Sequence, residues 1–180
     1  QDRNPIIDLL ADEGVRALVA ALPAILRDPS DKAAREKALY GAWLCGTCLG
    51  AVGMALHHKL CHTLGGSFDL PHAETHSVAR PHALAFNLPF APDARERLAR
   101  AIGSEDPADG LHRLARALGA PTALCELGMP EVGIDRAADL AVENPYWNPR
   151  PIERDAVRDL IARAWRGAAP EAYVPSAQTI

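Results

Sequence analysis

Several chemistries are excluded by what this sequence does not contain. It has no basic stripe: 19 lysines and arginines stand against 23 aspartates and glutamates, for a net charge of −4 and a pI of about 6.0. Nucleic acid is therefore not an expected partner. There is no G-x-G-x-x-G after a strand, no Walker loop and no G-x-S-x-G elbow, so the chain by itself carries no recognisable nucleotide cradle or serine nucleophile. No stretch alternates apolar and polar residues between turn signals, which leaves no strand to assign. The cysteines at 45, 48, 61 and 125 lack the spacing of a disulfide framework. Reduced, buried thiols in a cytoplasmic protein are expected. Gln1-Asp2-Arg3-Asn4-Pro5 shows neither an initiator methionine nor a signal or transit pattern, and the chain reads as a piece of a longer one.

Residues 38–56 also lack something: nineteen consecutive positions carry no charge, long enough to raise a transmembrane helix. Glycines at 41, 46, 50 and 53, few large aliphatics, and Lys37 and Lys59 close by favour the buried central helix of a bundle, with no membrane association. The 180 residues suffice for one domain with a real core, or at most two small ones.

What is present reads as helix throughout. Asn4-Pro5 opens a first helix, with Pro23 expected to break or kink it. Ser30 or Asp31 caps a long second helix that runs into a histidine cluster, and its glycines at 46, 50 and 53 leave room for close approach by a neighbour. A third helix starts at Pro71 and is interrupted at Arg80-Pro81. Short helices are expected over 93–102, from Asp106-Pro107 to Gly119, over 135–143 and over 152–165. Pro145, Pro149 and Pro151 keep the segment between the last two irregular, and a tail follows Gly167. The fold class is all-α, a helical bundle.

Five of the seven histidines fall within residues 56–76: His57, His58, His62, His72 and His76. His58 and His62 are four apart and stack on one helical face about 6 Å from each other. Gly65-Gly66 is expected to stop that helix, and His72 and His76 repeat the spacing beyond the corner. Imidazoles converging on one cleft make a site, since a neutral ring offers a lone pair to a metal or a proton to a reaction. His57 reads as a surface or capping residue.

Other signals are weaker. His58-Lys59-Leu60-Cys61-His62 lacks the glutamate of a zinc protease, and two histidines fall short of a closed metal site. Cys45-Gly46-Thr47-Cys48 has no second pair and reads as packing. Asp69 and Glu74 flank the site and either orient an imidazole or stay solvated. Lys59 lies off the His58/His62 line but can neutralise an anionic substrate. Tyr146-Trp147 reads as a packing anchor.

The stretch Gly53-Met54-Ala55-Leu56-His57-His58-Lys59-Leu60-Cys61-His62-Thr63-Leu64-Gly65-Gly66, followed by Asp69-Leu70-Pro71-His72-Ala73-Glu74-Thr75-His76, resembles the signature of the maleylacetate reductases. These are a branch of the iron-containing (group III) alcohol dehydrogenases. Arg80-Pro81-His82-Ala83-Leu84 and Asn144-Pro145-Tyr146-Trp147-Asn148-Pro149-Arg150-Pro151-Ile152-Glu153 extend the match over most of the chain.

The resemblance implies that residues 1–180 form the all-helical C-terminal domain of a dehydroquinate-synthase-like fold. An N-terminal α/β domain that binds NADH or NADPH would lie outside this chain. It implies a cytoplasmic homodimer and a dicarboxylate substrate, with hydride transfer reducing maleylacetate to 3-oxoadipate. His58, His62 and His72 would be catalytic, His62 beside the nicotinamide, and Lys59 and His76 would hold substrate. In iron-containing relatives the positions of His58 and His72 ligate a metal, together with an upstream Asp and His. The wording here matches the branch that works without one, so Fe or Zn is not the favoured cofactor. A metal-dependent alcohol dehydrogenase of the same fold, and a non-catalytic helical module, are the alternatives.

Overall fold

The computed structural model describes residue 2, residues 4–144 and residues 146–171. The expected tail from position 172 onward and Pro145 of the proline-rich loop lie outside the described residues. The described residues hold eight α-helices: α1 Pro5–Arg27, α2 Lys32–Ala51, α3 Leu56–Phe68, α4 His72–Asn87, α5 Pro92–Ile102, α6 Pro107–Ala117, α7 Gly133–Val142 and α8 Arg154–Trp165. Single 3-10 turns occupy Leu88–Phe90 and Cys125–Leu127, and no strand occurs among the described residues.

Local chemistry starts most of these helices. Asn4 Oδ1 accepts the Ile6 and Ile7 N–H groups at 3.1 Å, and Asp31 Oδ1 accepts that of Ala34 at 3.0 Å. Asp106 does the same for α6, with Pro107 in its first turn. Pro23 and Pro81 lie inside continuous helices, so neither ends its helix, one of the two outcomes expected of each. Each proline removes one backbone bond, but α1 is held along α2, and α4 is held among α3, α6 and α8. Packing outweighs that local loss.

The core is built from α3, α4, α7 and α8. Leu56, Leu60 and Leu64 form a buried stripe along α3 at four-residue spacing. They meet Val78 and Phe86 of α4, Ala137 and Ala141 of α7, and Val157 and Ile161 of α8 in one cluster. Outside it, Arg154 bridges Asp135 (3.0 Å) and Asp139 (2.7 Å), linking α7 to α8.

Three expectations are corrected here. First, the uncharged run is not one buried helix. It splits at residues 52–55 into α2 and α3, bent by 96°, and no single helix among the described residues is long and apolar enough to cross a membrane. Only Ala34, Gly41 and Leu44 of α2 are buried, while Leu39 is 72% and Trp43 65% exposed. Only α1 packs closely along α2, so its opposite side stays bare. Second, close approach occurs at Gly41, where a Cβ would lie 3.0 Å from the Gly14 carbonyl oxygen. Gly46 and Gly50 face open space. Third, Gly65 and Gly66 lie inside α3, which ends instead at Asp69 in the left-handed conformation (φ 53°). Aspartate tolerates that conformation, and Pro71 then disfavours helix at Leu70.

Candidate active site

The α3–α4 corner brings all five clustered histidines together. His62 and His58 are 5.9 Å apart between ring centroids, close to the expected value. His58 lies 5.1 Å from His76, and His76 lies 4.3 Å from His72. His57 stands behind the row, 5.6 Å from His58 and 4.9 Å from His76. The two ends, His62 and His72, are exposed, and the middle is half-buried. The row therefore opens to the surface at both ends.

Burial first, and then neighbouring positive charge, disfavours the protonated form of the three inner rings, His57, His58 and His76. His57 is pushed down to about 3, first by desolvation and then by the Arg80 guanidinium. His76 is pushed down to about 4 by burial, with His72 and His58 adding to the effect. His58 is lowered by burial, then by His62 and Arg80. A neutral ring at pH 7 carries one N–H and one lone pair, so it can hand on a proton without holding a charge.

The sequence-based set is thus only partly assembled. His58, His62, His72 and His76 are brought together. Lys59 is half-buried on α3 and takes no part in the bonds of this row. Among the described residues neither Asp69 nor Glu74 is hydrogen-bonded to a ring. Tyr146 packs against the core as expected, but Trp147 is 47% exposed.

Two members were missed. His57 is central rather than peripheral: its Nε2 lies 3.2 Å from the His76 carbonyl oxygen. Cys61 is buried with its sulfur beside His57 and His76, the three donor atoms lying within 4.8 Å of one another. The signal was available, because 57 and 61 repeat the 58/62 spacing one position earlier and so form a second row about 100° round the helix.

Asn148 is a further contributor. Ala55, the residue at the cap position of α3, supplies no side-chain bond. Instead Asn148, 92 residues away, accepts the Leu56 N–H at 3.3 Å, one residue before His57. Its amide nitrogen donates to Asn87 Oδ1 and to the Arg150 carbonyl, both at 2.7 Å, and Asn87 Nδ2 returns a bond at 3.1 Å. Beneath lies the buried Arg150 guanidinium, 3.8 Å from the Phe86 ring centroid. Asn148→Ala is expected to lower stability by about 1–3 kcal/mol, since Leu56 N–H and Asn87 lose partners. Urea midpoints of Asn148→Ala, Asn87→Ala and the double variant check this; the double change should cost less than the sum of the single ones.

Away from the site, His82 and His112 are both buried with ring centroids 6.4 Å apart, and the His82 Nε2 has no partner. Burial first, then His112, pushes His82 down to about 4. The unfolded chain therefore binds more protons than the folded one between about pH 4 and 6.5. Stability is intact above that window and declines through it on acidification, with a slope of up to about 1.4 kcal/mol per pH unit for each such ring. Urea midpoints between pH 7 and 5 should fall less steeply in His82→Gln than in the parent.

The model of the C-terminal region of the Fe-containing alcohol dehydrogenase family matches residues 1–165. The chain belongs to that family. Maleylacetate reductases are close relatives: the protein from Burkholderia cepacia is 58% identical over 169 residues, 94% of this chain and 48% of the relative. That from Sphingobium indicum is 56% identical with the same coverage. Among solved structures, maleylacetate reductase from Agrobacterium tumefaciens superposes with a TM-score of 0.92 at 56% identity, over 94% of this chain and 48% of that one. Iron-containing alcohol dehydrogenase from Corynebacterium glutamicum gives 0.85 at 44% identity, over 90% and 46%. The chain spans about half the length of the curated relatives it matches.

The family's name implies iron, and the residues present do not complete a site for it. His58 and His72 flank His76, and the three donors that do converge are two imidazoles and a thiol, without a carboxylate. A closed or catalytic site needs three or four ligands, and iron(II) sites of the oxygenase type include a carboxylate.

Proposed function

We propose that the protein is an NADH- or NADPH-dependent reductase that converts maleylacetate to 3-oxoadipate. In this reading the present chain is the helical half of the active site, and an N-terminal α/β half supplies the nucleotide pocket. The observation that carries the reading is the row of imidazoles, open at His62 and His72. Similarity to maleylacetate reductases at 58% and 56% identity supports the choice of substrate. The bare side of α2 offers the other half a surface to pack on. A cytoplasmic homodimer belongs to the same reading.

The substrate's carbon–carbon double bond is conjugated to a carbonyl. A reduced nicotinamide bound by the other half would supply hydride to one carbon of that bond and be oxidised, and the π electrons would move onto the carbonyl oxygen. The resulting enolate takes a proton at the neighbouring carbon and becomes the saturated ketone. His58 and His72 meet the developing oxyanion with ring N–H groups, and His62 stands at the nicotinamide end. Lys59 holds a substrate carboxylate with its ammonium group.

The test is oxidation of NADH and NADPH by the intact protein with maleylacetate, with and without chelator. Turnover that survives the chelator is the expected result. No turnover with maleylacetate sinks the proposal, and turnover lost to the chelator transfers the protein to the metal-dependent alcohol dehydrogenases of the same fold.

A further inference from the structure

We infer that His57, Cys61 and His76 form a binding site for a thiophilic cation such as Zn2+, separate from the His58/His72 pair. Their three donor atoms lie within 4.8 Å of one another, two on successive turns of α3 and the third across the corner on α4. Two imidazoles and a thiolate suit Zn2+ and exclude Mg2+ and Ca2+, which require oxygen ligands. Three protein ligands with a fourth position open is a common zinc arrangement. At metal–ligand lengths of about 2.0–2.3 Å, donors sharing one ion stand about 3.5 Å apart, so the side chains close in by about an ångström.

Two observations make this more than proximity. The His76 Nε2 is buried and has no hydrogen-bond partner, which a ligated cation would supply. The His57 Nε2 is held by the His76 carbonyl at 3.2 Å, and a proton there leaves the lone pair on Nδ1. Metal-binding histidines are fixed in this way, by a carbonyl on the nitrogen that does not ligate. The Cys61 thiol gives up its proton to solvent on binding, as ligation by a thiolate requires. The thiolate charge offsets the Arg80 guanidinium, whose positive charge acts on His57, Cys61 and His76 alike.

The experiment titrates chelator-stripped intact protein with Co2+ and then Zn2+, without nicotinamide or substrate, so its failure is distinct from failure of the reductase reading. A near-ultraviolet thiolate-to-cobalt band is expected at one equivalent, displaced by Zn2+. Cys61→Ser should abolish the band and weaken Zn2+ binding at least about tenfold. His76→Asn, half-buried where Cys61 is fully buried, should do the same and guards against a Cys61 variant that misfolds. The paired Cys45→Ser and Cys48→Ser changes should leave the band intact. Absence of the band, its survival in Cys61→Ser, or its loss only in the Cys45/Cys48 variant overturns the assignment. So does Zn2+ binding that vanishes with His58→Ala and persists in Cys61→Ser.

Discussion

Replacing His58 by alanine in the intact protein is expected to cut kcat for maleylacetate reduction by about 10²–10⁴-fold, the usual worth of a positioned proton donor. That corresponds to about 2.7–5.5 kcal/mol of transition-state stabilisation. His58 is the junction of the row, in ring contact with His57, His62 and His76. Its loss opens a gap between the His62 end and the His72 end, so no neighbour stands in for it. Because a half-buried surface ring contributes little to folding, the variant should melt close to the parent while kcat collapses. His72→Ala should behave alike at the far end, with less effect on the middle rings. Steady-state assays at saturating nicotinamide, beside thermal melts, separate the two effects. Near-normal kcat in His58→Ala would remove that ring from the chemistry.

Leu60→Ala is the change expected to cost most in stability, about 2–5 kcal/mol. Leu60 is fully buried, midway along the Leu56–Leu60–Leu64 stripe that seats α3 on α4, α7 and α8. Truncation leaves a cavity in the one cluster that these helices share, and relaxation there is restricted on every side. The same stripe sets the rotation of α3, and therefore which of its rows faces the corner. Equilibrium urea unfolding should show a lowered midpoint with little change in slope. Leu39→Ala on α2, also a leucine on a helix but 72% exposed, should stay within about 0.5 kcal/mol of the parent. Equal losses in the two variants would mean the core is not where the fold is held.

The contrast between those two leucines also marks where reading the chain succeeds and where it stops. Helix starts were legible because their causes are local: Asn4 before Pro5, Asp31, and Asp106 before Pro107 each bond to N–H groups within three residues. The end of α5 at Gly103 was legible for the same reason, since a left-handed glycine closes it. The glycine pair at 65 and 66 misled, because two flexible residues permit a corner without demanding one, and aspartate at 69 makes it instead. In the site, the 58/62 row followed from helical spacing alone. That 57 and 61 form the inward row depends on which way the leucine stripe turns α3, a fact of packing. Asn148 had no local signal: a side chain capping a helix 92 residues earlier is visible only in three dimensions.

The bare flank of α2 has a consequence for handling. Leu39 and Trp43, with smooth ground at Gly46 and Gly50, present an adhesive strip to water. On its own in solution this chain should cling to itself, as patches of this kind do. Light scattering that grows with concentration, relieved when Trp43 is exchanged for lysine, would be its colloidal signature.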